Sequence, residues 1–206
     1  MSVELSIIER YTSETETVNL SCGGNLDFAQ VQPGDVIIDL GCGRGTETIL
    51  AARKAMEGKA IGLDITPKMV QAAREQAALK GVTNAEFVEG ALDSLPFPDS
   101  YADVMISNCS INHVSDKEKV FREIFRVLRP GGRFVVSDIM AQELLPVEIT
   151  TDPEEIAACF GGAIPSDEYF RAIRNAGFLE LEILKERSYL KKGYGLISRT
   201  LRAYKK

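Results

Sequence analysis

Short runs of apolar residues alternate along this chain with longer segments in which apolar positions recur every three or four residues. The short runs have the length and composition of buried strands, and they span residues 36–40, 59–64, 85–89, 102–107 and 133–137. The longer segments have helical periodicity, and they span residues 46–56, 67–80 and 115–128. Strands that alternate with helices predict an α/β fold in which a parallel sheet is covered on both faces.

The two ends of the chain depart from this alternation. Two further strands, at about 179–184 and 196–204, follow short helices that begin near Asp152 and Ser166. With no helix between them, these last strands are expected to be antiparallel. The sequence therefore predicts a doubly wound, seven-stranded, mostly parallel sheet over residues 35–206. Residues 1–34 are polar and then glycine-rich, and we expect them to form an N-terminal arm or lid over the carboxyl edge of that sheet.

Helix-start signals are visible at two of these helices. Thr66 and Pro67 predict an N-cap followed by a proline in the first turn. Ser115 and Glu118 have the spacing of a capping box for the helix that ends near Leu128. These signals fix where the connections from strand to helix lie.

Charge and composition narrow the class of partner. The formal net charge of −6 argues against nucleic acid, and no apolar run approaches the ~20 residues of a membrane span. The N-terminus lacks the basic start and apolar stretch of a signal peptide, so a cytoplasmic protein with a small-molecule substrate is expected. The 4 cysteines are far apart, without a C-x-x-C pair, and reduced thiols are the default expectation.

A glycine-rich turn follows the first predicted strand. The segment DLGCGRG, from Asp39 to Gly45, leads from that strand into a helix, where open α/β sheets bind ligands. Asp64 ends the next strand, and a carboxylate there can accept hydrogen bonds from both hydroxyls of a ribose. The loop and Asp64 together predict a nucleoside-binding site.

Four blocks of sequence extend this pattern: VIIDLGCGRGTET, IGLDITPKMVQAAREQA, LDSLPFPDSYADVMISN and VFREIFRVLRPGGRFVVSD. They resemble the class I S-adenosylmethionine-dependent methyltransferases, a Rossmann-like fold. The resemblance implies that Gly41 and Gly43 border the methionine part of the cofactor, that Asp39 orients its ammonium group and that Asp64 holds the ribose. It also implies further cofactor contacts, from Cys42, Ile65, Ala91, Leu92 and Asn108. Many members have an acidic residue where this chain has Ala91.

The remaining cysteines lie in three contexts, LSCG, ISNCSIN and ACFGGAI. These contexts resemble the cysteine motifs of arsenite methyltransferases, which implies that Cys22, Cys109 and Cys159 bind arsenic(III) as the substrate. Soft thiolates prefer such a thiophilic centre. Because arsenic bound by three sulfurs keeps a lone pair, it can attack the sulfonium methyl without a general base, and the protein mainly supplies alignment.

Two other functions are compatible with the sequence. The protein could methylate an organic small molecule, with His113, the 1 histidine of the chain, or a carboxylate as base. It could also bind S-adenosylmethionine or a metalloid without turnover. The three cysteines distinguish arsenite methylation from both alternatives. Turnover distinguishes the two enzymes from the non-catalytic binding protein.

Overall fold

The computed structural model describes residues 3–13 and 24–206. Seven strands form one sheet in the order β3-β2-β1-β4-β5-β7-β6. Their bounds are β1 Val36–Leu40, β2 Lys59–Asp64, β3 Ala85–Glu89, β4 Ala102–Asn108, β5 Leu128–Ala141, β6 Leu181–Lys191 and β7 Tyr194–Tyr204. The first five strands are parallel, and β7 pairs antiparallel with both β5 and β6. The fold class predicted from the sequence is confirmed.

Eight α-helices lie in the described part of the chain, with a 3-10 turn at Ile111–His113. Their bounds are α1 Val3–Ser13, α2 Asn25–Phe28, α3 Thr46–Lys54, α4 Pro67–Leu79, α5 Lys117–Val127, α6 Val147–Thr150, α7 Pro153–Ala157 and α8 Ser166–Asn175. Among these described helices, none is long and apolar enough to cross a bilayer.

Two local predictions are wrong in detail. The N-cap of α5 is Asp116, whose Oδ1 accepts the backbone N–H of Lys119 at 2.8 Å, so Ser115 does not cap that helix. Strand β5 runs from residue 128 to 141, well beyond the predicted 133–137, because it pairs with β7 from Arg133 to Ala141 and with β4 already at Leu128. The length of β5 depends on pairing with residues that are distant in the sequence, so local composition does not predict it.

The two faces of the sheet are covered by different helices. The larger core cluster lies under α5 and α8, where Phe121, Phe134, Tyr169 and Phe178 are fully buried. The rings of Phe134 and Phe178 meet edge to face with centroids 4.7 Å apart, a preferred aromatic geometry. Strands β1 and β4 are buried between the helices on the two faces of the sheet. The loops that follow their carboxyl ends therefore start from fixed positions.

Candidate active site

A cavity of about 770 Å³ opens at the carboxyl ends of the central strands. This is within the usual size range of small-molecule sites. All nine residues implied as cofactor contacts line it: Asp39, Gly41, Cys42, Gly43, Asp64, Ile65, Ala91, Leu92 and Asn108. Cys109 and Cys159 line the same cavity. The predicted nucleoside site and two of the three predicted arsenic ligands therefore share one chamber.

The glycine loop needs glycine for steric reasons at its first position. Gly41 has φ +72°, and a Cβ placed on it would lie 2.0 Å from the Oγ of Ser110. An L side chain is thus excluded both by the left-handed backbone and by the close approach of the segment after β4. The result is a bare backbone surface at the end of β1, which a ligand can approach.

Asp64 is held by two backbone donors. Its Oδ2 accepts the N–H of Gly43 at 2.8 Å, and its Oδ1 accepts the N–H of Thr66 at 2.9 Å. Each carboxylate oxygen keeps a further lone pair. Burial raises the pKa of Asp64, while these backbone hydrogen bonds oppose that change. The side chain is therefore oriented to accept two hydroxyl hydrogens, which fits the vicinal hydroxyls of a ribose.

Asp39 is a buried carboxylate in the same wall. Its Oδ2 accepts the hydroxyl of Thr48 at 2.6 Å, and burial together with the charge of Glu47 raises its pKa to about 7. A cationic group beside Asp39 would favour its ionised form. The residue thus fits the ammonium group of an amino-acid ligand.

Cys42 lines the same cavity and packs against β2. Its Sγ lies 2.7 Å from the position that a Cβ on Gly62 would occupy, so it fills the space against β2. Burial, followed by the charges of Asp39 and Asp64, raises the pKa of this thiol well above its usual value. Cys42 is an unreactive packing residue of the loop, which agrees with its exclusion from the cysteine trio.

Cys109 and Cys159 come together although 50 residues separate them. The Sγ of Cys159 lies 3.0 Å from the carbonyl oxygen of Cys109, and the two residues are 8–9% exposed. Cys109 directly follows β4, and Cys159 follows α7. Both have left-handed backbone, with φ of 58° and 62°, which non-glycine residues rarely adopt outside constrained sites.

His113 completes this cluster. Its Nε2 lies 3.2 Å from the Sγ of Cys159, and 3.3 Å from both the hydroxyl of Tyr11 and the carbonyl oxygen of Ala157. A hydrogen bond from the side chain of Cys109, followed by the contact with His113, holds the pKa of Cys159 well below its usual range. Burial opposes protonation of His113, but its pKa is raised because Cys159 favours the imidazolium. The sulfur and the imidazole nitrogen are thus within hydrogen-bond distance, and each group favours the charged form of the other.

Cys22 lies outside the described residues, so the third member of the predicted trio is not placed. Within residues 3–13 and 24–206, no group of three or more His, Cys, Asp or Glu side chains has the geometry of a metal site. The described chain continues from Gly24 into Asn25, which is fully buried. The side-chain amide of Asn25 donates to the carbonyl oxygen of Ser107 at 2.7 Å, next to the end of β4.

Tyr11 reaches His113 from α1, with ring centroids 5.5 Å apart. Lys117 lines the cavity from the first turn of α5, and the sequence did not identify it. A lysine at a helix start in the polar segment SDKEK has the pattern of a solvated residue, so its burial had no local signal.

Comparisons with known proteins place this geometry in a family. A family model described as "Methyltransferase domain" matches residues 32–194. The arsenite methyltransferase of Halobacterium salinarum is 38% identical over 167 residues, which cover 81% of this chain and 43% of that protein. The ubiquinone/menaquinone biosynthesis C-methyltransferase of Vibrio parahaemolyticus is 34% identical over 129 residues, covering 62% of this chain and 51% of that protein.

A solved structure gives the same result at the level of the fold. The arsenic(III) S-adenosylmethionine methyltransferase of Chlamydomonas reinhardtii superposes with a TM-score of 0.83 at 26% identity, covering 99% of this chain and 74% of that chain. This chain spans about half the length, or less, of the curated relatives it matches. The resemblance inferred from the sequence motifs is confirmed, and the chain belongs to the family of methyltransferase domains.

Proposed function

We propose that this protein is an S-adenosylmethionine-dependent methyltransferase whose acceptor is arsenic(III) bound by cysteine thiolates. The observation that supports the proposal most is the meeting of Cys109 and Cys159 in the wall of the cavity that the glycine loop and Asp64 also line. A nucleoside site and a pair of adjacent thiols in one chamber suit a sulfonium methyl donor and a thiophilic acceptor.

The cofactor part of the site follows from the residues of β1 and β2. S-adenosylmethionine, when bound, supplies a methyl group on a positively charged sulfur. Asp64 would hold the ribose hydroxyls, Asp39 would ionise beside the ammonium group, and Gly41 and Gly43 would leave room for the methionine chain.

The thiol part of the site accounts for the substrate. Arsenite exchanges a hydroxide for each thiolate and releases it as water, so each thiol proton must reach a leaving hydroxide. His113 is placed to take the proton of Cys159 and to return it to that hydroxide, since its Nε2 lies 3.2 Å from the sulfur. Cys22 would supply the third sulfur. The lone pair of arsenic would then form the bond to the methyl carbon while the bond from that carbon to the sulfonium sulfur breaks, and its electron pair leaves on the sulfur as S-adenosylhomocysteine. The product would be a positively charged methylarsenic(V) tris-thiolate, and no general base acts on the acceptor.

The N-terminal segment has a covering role in this proposal. Val3, Ile7 and Tyr11, on one face of α1, line the cavity. Helix α1 would thus form a lid, which excludes water from the methyl donor while the acceptor is held.

A second candidate function rests on the same histidine. The similarity to a quinone-biosynthesis C-methyltransferase favours an organic acceptor, with His113 or a carboxylate as base. The position of His113 against Cys159 supports the arsenic proposal more directly, because this nitrogen is paired with a thiol. A non-catalytic binding protein would show cofactor binding without turnover.

The test is a methyl-transfer assay with labelled cofactor, excess thiol and either arsenite or a quinol as acceptor. Methylated arsenic as product, lost in Cys109→Ser and Cys159→Ser, is expected. Transfer to the quinol alone, or transfer to arsenite that survives both substitutions, would contradict the proposal. Cofactor binding without transfer to either acceptor would favour the binding protein.

A further inference from the structure

Lys117 is a buried cation in the wall of the cavity. The residue is 4% exposed, although lysine is almost never fully buried without a partner of opposite charge. Its Nζ donates to the carbonyl oxygen of Val114 at 3.1 Å. An ammonium group has three N–H donors, so this bond leaves donors that can serve a ligand.

Among the described residues, the ammonium group of Lys117 has no ion-pair partner. In the part of the chain that the structure describes, no carboxylate lies within ion-pairing distance of its Nζ. The negative charge of Asp138 favours the protonated form of Lys117. The carboxylate oxygens of Asp138 already accept hydrogen bonds from the hydroxyl of Tyr169 and the N–H of Ile139, each at 3.0 Å. Burial lowers the pKa of Lys117 to about 8, so it remains mostly protonated at neutral pH.

The position of Lys117 adds a second source of positive potential. It is the first residue of α5, a helix of 11 residues, and the partial positive charge of the helix N-terminus lies at the same place. The carboxylates of Asp116 and Glu118 lie in the same turn and oppose this potential, whereas the side chain of Lys117 itself lines the cavity. A cation of this kind costs stability unless a bound anion compensates it.

We propose that Lys117 and the first turn of α5 form a carboxylate-binding subsite of the cavity. The carboxylate could belong to the cofactor, at its amino-acid end, or to the second substrate, such as an acidic thiol that delivers arsenic. Both sources use the same charge-assisted hydrogen bond. The inference rests on the proposed function, and its cofactor alternative does not depend on arsenic as the acceptor.

The test measures binding by calorimetry in wild type, Lys117→Met and the control Lys119→Met. Lys119 lies two positions along the same helix, is 49% exposed and pairs with Asp93 on the surface. One arm compares S-adenosylhomocysteine with methylthioadenosine, which lacks the amino-acid end. The other arm compares 3-mercaptopropionate with 2-mercaptoethanol on protein saturated with S-adenosylhomocysteine.

In Lys117→Met, we expect about tenfold to hundredfold weaker binding of the carboxylated member of one pair, with the neutral member unchanged. The pair that responds identifies the source of the carboxylate. Lys119→Met should match wild type in both arms. Equal loss for charged and neutral ligands, or no loss for either carboxylated ligand, would overturn the subsite.

Thermal unfolding of the unliganded protein separates this role from a structural one. If the ammonium group of Lys117 binds a ligand and does not stabilise the fold, Lys117→Met should unfold at the same temperature as wild type or higher, because the substitution removes an uncompensated buried charge. A lower unfolding temperature, or failure to fold, would show that Lys117 supports the fold and would overturn the inference. If wild type binds neither nucleoside, the proposed function itself fails.

Discussion

The Nε2 of His113 lies 3.2 Å from the Sγ of Cys159, and this contact joins the one histidine of the chain to a predicted arsenic ligand. The two residues come from different connections, the 3-10 turn after β4 and the segment after α7. Their proximity changes the role that we assign to His113: it is a partner of a thiol, whereas the organic-acceptor hypothesis used it as a base on substrate.

This pairing predicts how fast Cys159 is alkylated. Because His113 stabilises the thiolate, His113→Gln should raise the pKa of Cys159. Its reaction with iodoacetamide at pH 6.5 should then slow by about tenfold for each unit by which that pKa exceeds 6.5. The rate is measured by quenched labelling and peptide mass spectrometry. Cys42 gives an internal control, since its buried thiol should react slowly in both proteins. An unchanged rate at Cys159 would show that the imidazole does not hold the thiolate.

The ribose assignment predicts a loss of cofactor affinity. Asp64→Ala removes both carboxylate acceptors, and each hydrogen bond to a charged group contributes about 1.5–3 kcal/mol. Calorimetry with S-adenosylhomocysteine should therefore show binding at least tenfold weaker. Glu89→Ala, at the end of the neighbouring strand β3, is the control and should bind normally. Unchanged affinity in Asp64→Ala would remove the ribose from this position.

The thiol site predicts a pattern across four variants. Wild type should bind one equivalent of arsenite, and Cys22→Ser, Cys109→Ser and Cys159→Ser should each weaken that binding, because a hydroxyl is a harder and far less acidic ligand. Cys42→Ser should bind arsenite as wild type does. Phenylarsine oxide needs two thiols and should still bind tightly to Cys22→Ser if Cys109 and Cys159 form the described pair. Uniform loss in all four variants would contradict this arrangement.

Asp138 predicts a pH dependence of stability. Burial, followed by the charge of Cys159, raises its pKa to about 7. A carboxyl group with a folded-state pKa above its unfolded-state value of 3.8 contributes stability in full at low pH and loses it as the pH rises through 7. Asp138→Asn should therefore flatten the fall in the free energy of unfolding between pH 5 and pH 8. Parallel urea-unfolding curves of the two proteins across that range would contradict this origin.

The convergence of the proposed cofactor residues on one cavity was predictable because its signals are local. Short sequence segments identify the glycine loop, the strand ends and Asp64, and in the structure all of them line one cavity. The pairing of Cys159 with His113 was not predictable from spacing, since it depends on how the segment after α7 folds back over the turn after β4. The N-cap of α5 was placed one residue too early, because Ser115 and Asp116 are adjacent and both residue types are good caps.

Both described cysteines of the site occupy left-handed backbone, where glycine has no steric cost. In the genetic code, one nucleotide change converts a cysteine codon to a glycine codon. At each position, a single-nucleotide mutation can therefore introduce glycine, which removes the steric strain of the left-handed backbone and also removes the sulfur. Cys109→Gly and Cys159→Gly should be at least as stable as their alanine counterparts, and selection for stability alone would not oppose them. A lineage without exposure to a thiophilic substrate would accordingly lose these two thiols early, while the nucleoside-binding loop persisted.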